Sequence, residues 1–362
     1  MKITVSVTND LVTDQRVHKV CTSLWEAGYE VKLIGRKFRN SPKLNRNYET
    51  HRIRLLFNRS FWFYAEYNFR LFFYLLFDKA DIFLSNDTDS LLANYLASKV
   101  IRRKLIFDAH EMFPEVPELA ERKRVRDFWM KIEDWIFPQI KHSYTVCRSI
   151  ANSYNERYGM NMRVVRNIPF AHQNKQLTPA LDKQNKKVIL YQGAVNMGRG
   201  IDQLIDAMPY LNGFLFYIVG DGDCLKSLQE KVREMQLEDK VKFTGRVPFE
   251  QLPAYTICAD IGVNLLENKG LNYYFALPNR IFDYIRNNIP ILANDFPEVE
   301  RIVSHYRVGR LIDRFEPEYL ASVIEEMALD PKNEEGFALA NAELTWENES
   351  RILLNIIQEA AY

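Results

Sequence analysis

The sequence predicts an α/β protein of two domains, each built from β-α-β units. Three observations carry this. Short apolar runs such as KITVSV, EVKLIG and KLIF alternate with stretches whose apolar residues recur at helical spacing, the pattern of buried strands joined by amphipathic helices. The 362 residues exceed what one core ordinarily serves. Near the middle, IPFAHQNKQLTPALDKQNKK loses periodicity and turns polar around Pro169 and Pro179, as a linker does. The expected division is 1–168, a linker at 169–185, and 186–346.

In order, residues 2–7 read as a strand and TNDLVTDQR as the loop at its carboxyl end, where open α/β sheets bind ligands. Asn9, Asp10, Asp14 and Arg16 are the candidates there, Asp14 also suiting a helix N-cap. Val17, Val20, Cys21, Leu24 and Trp25 mark the helix that follows. Gly28 ends it, and EVKLIGR returns as a strand. This unit has no G-x-G-x-x-G, which disfavours a nicotinamide-dependent oxidoreductase. Residues 36–59 are basic, with Glu49 the one acid, and FWFYAEYNFRLFFYLLF follows. Its longest clean run, Leu71–Phe77, falls far below the roughly 20 residues that span a bilayer. Two readings of residues 36–77 stay open: a peripheral membrane contact, or a core helix behind a solvated basic loop. Asp87-Thr88-Asp89 has the D-x-D spacing of a divalent-metal site, but directly precedes a helix and reads as its cap. No metal is expected. Strand KLIFDAHE ends in Asp108, His110 and Glu111, a place for chemistry. Val125, Phe128, Trp129, Ile132, Trp135 and Ile136 form one helical face and read as core.

The second half opens with strand KVILYQG, whose Gly193 leads through Ala194–Gly198 to Arg199 at a helix start. A cation is disfavoured at that end unless it meets an anion. FLFYIVG ends in the tight turn Gly220-Asp221-Gly222-Asp223, and VKFTG leads to Arg246-Val247. Leu277-Pro278-Asn279 precedes the helix of Ile281, Phe282 and Ile285, where free backbone N–H groups make an anion site. Asp283 shares a helix face with Asn279 and adds a carboxylate suited to hydroxyls. After Pro290, Ile291–Ala293 is a buried strand. A last helix carries Trp346, Leu353, Leu354 and Ile357.

The net charge of +1 announces no nucleic-acid partner. Cys21, Cys147, Cys224 and Cys258 are scattered without a C-x-x-C pair, which fits reduced cytosol. MKITVSVTND turns polar too soon for a signal peptide. The expected location is cytoplasmic, at the inner face of the membrane if residues 36–77 touch it.

DQRVHKVCTSLWEAGYEV, LIFDAHE, VVRNIP, LYQGAVNMGRGIDQLIDAM, IVGDGD, VKFTGRV, ALPNRIFDYI and TWENESRILL follow one another in an order that resembles the group 1 retaining glycosyltransferases, glycosyltransferase family 4. The resemblance covers essentially the whole chain. It implies the GT-B architecture, two Rossmann-like β/α/β domains facing a central cleft, with the closing helix 347–362 crossing back to the first domain. It implies sugar transfer from a UDP- or GDP-linked nucleotide sugar to a glycan or lipid-linked acceptor hydroxyl, in bacterial-type surface glycan assembly and without a cofactor. Gly193, Gly222, Arg246, Val247, Leu277, Pro278, Asn279 and Asp283 are then donor-binding and Arg199 meets the diphosphate. His110 approaches the donor sugar, while Asn9, Asp10, Asp14 and Arg16 lie on the acceptor side. The chain departs from the family at Phe275, where many members carry a sugar-binding Glu, and at Ala194, near which an Arg is usual. These departures keep a catalytically silent subunit of a glycan-assembly complex as an alternative. A nucleotide-sugar 2-epimerase is the other, which DAHE and ALPNRIFDYI fit poorly.

Overall fold

The computed structural model describes the chain except for residues 13, 117, 118, 120, 121 and 172–176, so part of the expected linker lies outside the described residues. Contacts divide the chain into two compact units: unit 1 is Met1–Asn167 with Glu347–Tyr362, and unit 2 is Ile168–Trp346.

Unit 1 has strands β1 (Lys2–Asp10), β2 (Glu30–Arg36), β3 (Glu49–Ile53), β4 (Ile82–Asn86), β5 (Lys104–Ala109), β6 (His142–Thr145) and β7 (Arg163–Val164). They pair in parallel in the order β3-β2-β1-β4-β5-β6-β7. Its helices are α1 (Gln15–Glu26), α2 (Ser60–Leu76), α3 (Asp87–Val100), α4 (Lys123–Ile136) and α5 (Arg148–Tyr158). Asp14 caps α1, its carboxylate accepting the Val17 N–H at 3.0 Å. The expected stripe of α1 is buried except for Trp25, which is exposed.

The aromatic run forms α2. Phe63, Tyr67, Leu71 and Leu75, four residues apart, make one narrow buried stripe. Tyr64, Phe72 and Tyr74 pack half-buried against that core, while the other aromatics face outward, with Trp62 62%, Phe69 65% and Phe77 85% exposed. The reading of α4 as wholly core needs correction. Trp129, Ile132 and Ile136 are buried, but Val125, Phe128 and Trp135 are exposed. Phe128 instead joins the outward face of α2, its ring 6.1 Å from that of Phe61. Among the described residues no helix is long and apolar enough to cross a membrane.

Unit 2 has strands β8 (Lys187–Gln192), β9 (Phe214–Val219), β10 (Val241–Gly245), β11 (Ile261–Asn264), β12 (Ile291–Asn294) and β13 (Gly309–Ile312). They are parallel, in the order β10-β9-β8-β11-β12-β13. The helices are α6 (Ile201–Ala207), α7 (Leu225–Glu234), α8 (Leu252–Thr256), α9 (Leu271–Tyr274), α10 (Asn279–Arg286), α11 (Pro297–Tyr306), α12 (Pro317–Leu329) and α13 (Glu334–Glu343). One apolar layer holds Ile189, Leu204, Ile218 and Ile324, and the other Leu190, Leu215, Ile285 and Val303. Both faces of the sheet are thus covered, which is why its strands read as continuous apolar runs. The strand order reverses direction beside β8, and ligands bind outside carboxyl ends at such a point.

The last helix, α14 (Trp346–Ala361), lies almost wholly in unit 1. Its buried Glu349 accepts the Arg166 backbone N–H at 2.7 Å and pairs with that guanidinium, and Arg163 pairs with Glu359 at 2.8 Å.

Candidate functional site

The turns that leave β8, β9 and β10 enclose a cavity of about 540 Å³ in unit 2. Gly193, Gly222, Arg246 and Val247 all line it, with Ala194, Asp221, Asp223 and Leu252. Two glycines make the close turns possible. Gly193 has φ +129°, a region side chains rarely adopt. Gly220 stands so close to Gly193 that a Cβ would lie 1.8 Å from the Gly193 carbonyl oxygen.

Asp283, on α10, is tied to the end of β8. The Gln192 amide donates to its carboxylate at 2.8 Å, and the Gln192 carbonyl accepts the Thr256 hydroxyl at 2.8 Å. The amide is thereby used from both ends, and the carboxylate is held in one orientation. Leu277 packs with Val247 against the same apolar layer, and Asn279 is exposed at the start of α10. Pro278, the residue at the N-cap, offers no side-chain bond, so the first amides of α10 have no side-chain cap.

Arg199 stands apart from the described residues that line the cavity. Its guanidinium lies 4.7 Å from the Tyr273 ring centroid, and its buried Nε has no hydrogen-bond partner. Phe275 is half-buried with its ring 5.4 Å from that of Tyr274, and offers no group to a hydroxyl. The nearby Glu267 does not replace the missing carboxylate: it accepts from Gln203 at 3.1 Å and pairs with Lys269 at 3.1 Å. Sequence reasoning passed over Gln192 and Arg280. Arg280 had a signal, a cation beside Ile281 and Phe282 on the inward side of a helix, where it is only 7% exposed.

In unit 1 the expected roles change. Arg16 is turned inward and 4% exposed, which removes it from the group facing outward at the end of β1. It grips Asp108 with two nitrogens, at 2.7 and 3.1 Å, and donates to the Val165 carbonyl at 2.9 Å. Asp10 pairs with Arg52 at 2.9 Å, and the Asn9 amide donates to Asp14 at 3.0 Å.

The Asp87-Thr88-Asp89 segment is not the cap it resembles: Asn86 occupies the N-cap position of α3. Asp87 has φ +57°, an uncommon conformation for a side-chain-bearing residue. Its carboxylate accepts the His110 backbone N–H at 2.7 Å and faces His110 Nδ1 at 3.2 Å. Thr88 donates to the buried Glu133 at 2.9 Å, and Thr8 donates to Asp89. His110 Nε2 faces Asp108 at 3.1 Å and Asn86 at 3.2 Å, so both ring nitrogens already have acceptors.

Burial opposes charge on His110, but Asp87 and Asp108 outweigh it and raise the imidazole to about 9. The folded state therefore keeps a proton that the unfolded chain releases near pH 6.5. This contribution to stability is complete below about pH 6.5 and is lost as pH rises toward 9. We expect the urea midpoint to fall across that window, and His110→Gln to flatten the slope. A His110→Gln variant with the same slope as the parent removes His110 as its source.

Comparisons with known proteins agree with this architecture. Residues 14–169 match the family described as Glycosyltransferase Family 4, and residues 173–343 match Glycosyl transferases group 1. A GDP-mannose-dependent alpha-(1-6)-phosphatidylinositol monomannoside mannosyltransferase of Mycobacterium tuberculosis is 25% identical over 137 residues, 36% of this chain and 36% of its own length. Mannosylfructose-phosphate synthase of Agrobacterium fabrum is 24% identical over 237 residues, 56% of this chain and 49% of its own length. The matched stretches thus span between about a third and a half of those relatives. Among solved structures, sucrose-phosphate synthase from Thermosynechococcus elongatus superposes with a TM-score of 0.79 at 17% identity, covering 99% of this chain and 98% of that one. Anabaena Alr3699/HepE in complex with UDP-glucose gives 0.73 at 14% identity, covering 99% of this chain and 100% of the other. At such identities the likeness shows the fold, GT-B with two Rossmann-like domains. Together the two matched segments account for nearly the whole chain, which belongs to the group 1 glycosyltransferases of family 4.

Proposed function

We propose that this protein is a retaining glycosyltransferase that moves a sugar from a UDP- or GDP-linked donor to a hydroxyl on a glycan or lipid-linked acceptor, in surface glycan assembly. The observation that carries the reading is the cavity at the carboxyl ends of β8, β9 and β10, walled by close glycine turns, with Asp283 tied to Gln192 at the end of β8. The relatives support a nucleotide-sugar donor, one named as GDP-mannose-dependent and one structure holding UDP-glucose.

The turn at Gly220–Gly222 and the Arg246-Val247 backbone hold the nucleoside, and Asp283 holds ribose hydroxyls. Arg199 and the amides of Leu277-Pro278-Asn279 meet the diphosphate. In the reaction the bond from the anomeric carbon to the diphosphate oxygen breaks, leaving its electron pair on that oxygen. The acceptor oxygen bonds to the anomeric carbon from the same face and passes its proton to the departing phosphate. Arg199 and the amides stabilise the growing charge, so no metal is needed. Because both His110 nitrogens are engaged, its contribution to the sugar is the positive charge it carries. Asn9, Asp10 and Asp14 serve the acceptor side.

A panel of UDP- and GDP-sugars should show slow hydrolysis of one donor, undiminished in EDTA. A panel with neither hydrolysis nor binding sinks the enzyme reading in favour of the silent subunit. Loss of turnover in EDTA, restored by Mg²⁺ or Mn²⁺, rejects the metal-free mechanism.

We propose further that residues 36–77 touch an anionic membrane surface. The support is the exposed set Leu56, Phe57, Phe61, Trp62, Phe69, Phe73 and Phe77 beside exposed Arg39, Arg54 and Arg59. Arg52 does not join them, because Asp10 holds it. Replacing Arg39, Arg54 and Arg59 by Ser should weaken binding to anionic vesicles. Equal binding to neutral and anionic vesicles by the unaltered protein removes the electrostatic part.

A further inference from the structure

Arg280 is the second residue of α10 and is buried to 7% exposure. Its guanidinium stacks on the Tyr191 ring, 4.2 Å from the centroid, which fixes the plane of the fork. Nη1 is buried without a hydrogen-bond partner, and no carboxylate pairs with this side chain among the described residues. A buried charge is ordinarily paired, because losing hydration without compensation costs several kcal/mol. A cation at the start of a helix also opposes the dipole. Arg280 is therefore placed at a cost on both counts, which the Tyr191 ring offsets only in part.

The guanidinium lies against the cavity wall. A Cβ at Gly193 would stand 3.2 Å from Arg280 Nη2 and 3.6 Å from Cζ, so any side chain at 193 would crowd the fork. Gly193 itself lines the cavity. Of the described residues lining that cavity, Arg246 is the one cation, against Asp221 and Asp223. The wall alone thus does not offer the positive balance that a polyanion needs. The Arg280 guanidinium, set behind Gly193, is a second cation close to that wall.

We propose that Arg280 is a diphosphate-binding residue of this site, donating to the diphosphate of the nucleotide ligand through the Nη2–Nε edge that faces Gly193. The assignment rests on the nucleotide-sugar reading above. It makes Tyr191 the platform that orients the fork and Gly193 the window through which the anion reaches it.

The test uses the full chain, with calorimetric titration of UDP and GDP, and saturation-transfer NMR for uridine and guanosine. The unaltered protein should bind one diphosphate far more tightly than its nucleoside. Arg280→Gln should lower diphosphate affinity about 10–100-fold, the loss expected for charge-assisted hydrogen bonds. Nucleoside affinity should stay within about twofold. Arg280→Lys should recover part of the diphosphate affinity, keeping the charge but not the fork. Should the amide variant fail to fold, Arg280→Met keeps the apolar stem and carries the same comparison. Unchanged diphosphate affinity, or an equal loss for diphosphate and nucleoside, overturns the role of Arg280 and leaves the donor site standing. An unaltered protein that binds neither UDP nor GDP overturns the nucleotide reading, and this assignment with it.

Discussion

Replacing Arg16 by Ala is expected to destabilise unit 1 by about 3–5 kcal/mol, the usual loss when one partner of a buried ion pair is removed. Arg16 and Asp108 are 4% and 0% exposed at the side chain, and the contact uses two guanidinium nitrogens. Without Arg16, Asp108 keeps only His110 and neighbouring hydrogen bonds, and the Val165 carbonyl loses its donor. Burial by itself would raise Asp108, but Arg16 and His110 hold it below the ordinary carboxylate range. The stabilisation is thus present above about pH 4 and lost as acid protonates the carboxylate in the folded state. Arg16→Lys should fall between, since it keeps the charge and loses the fork. Urea unfolding reported by hydrogen exchange in β1 and β5 is the measurement. A loss under about 1 kcal/mol for Arg16→Ala would mean that water already reaches this pair.

Arg199→Ala is expected to lower kcat by about 10²–10³, the effect of removing one preorganised group from developing charge. The diphosphate is charged before reaction, but its charge grows as the glycosidic bond breaks, so donor KM should rise as well. Arg199→Lys should recover part of both. Asp283→Asn is different in kind. Ribose hydroxyls do not change during the reaction, so the carboxylate contributes equally to ground and transition states and its loss should mainly raise donor KM. Gln192, which donates to Asp283, should share that signature when changed to Ala. Steady-state kinetics with varied donor separates the three, after folding of each variant is confirmed. Unchanged kcat and KM in Arg199→Ala would leave the diphosphate to other groups. Its position beside Tyr273, outside the cavity lining, makes this a demanding test.

The strands were legible because a parallel sheet covered on both faces leaves an uninterrupted apolar run, as in ILYQ or FLFYIV. The glycine turns were legible because close backbone approach leaves few alternatives at Gly193 and Gly220. Asp87 was misread because capping is a local rule, whereas its partner His110 arrives from a neighbouring strand through Cα pairing of Asn86 with Asp108. The face of α4 was overread for another reason. Periodicity reports which residues are apolar, not whether anything covers them, and Phe128 and Trp135 remain exposed. Arg280 was overlooked because its meaning lies in what does not touch it. An orphaned guanidinium nitrogen is a fact of three dimensions that no spacing encodes.

The return of α14 to unit 1 fixes an order of assembly during synthesis. The segment that holds Glu349 and Glu359 emerges only after all of unit 2 has been translated. Arg163 and Arg166 must therefore wait for partners nearly two hundred residues downstream. Unit 2 is a continuous stretch and waits for no segment beyond its own span. Until α14 docks, nascent unit 1 presents β7 and its neighbours without their final cover. A chain released at residue 346 would thus hold all of unit 2 and an incomplete unit 1.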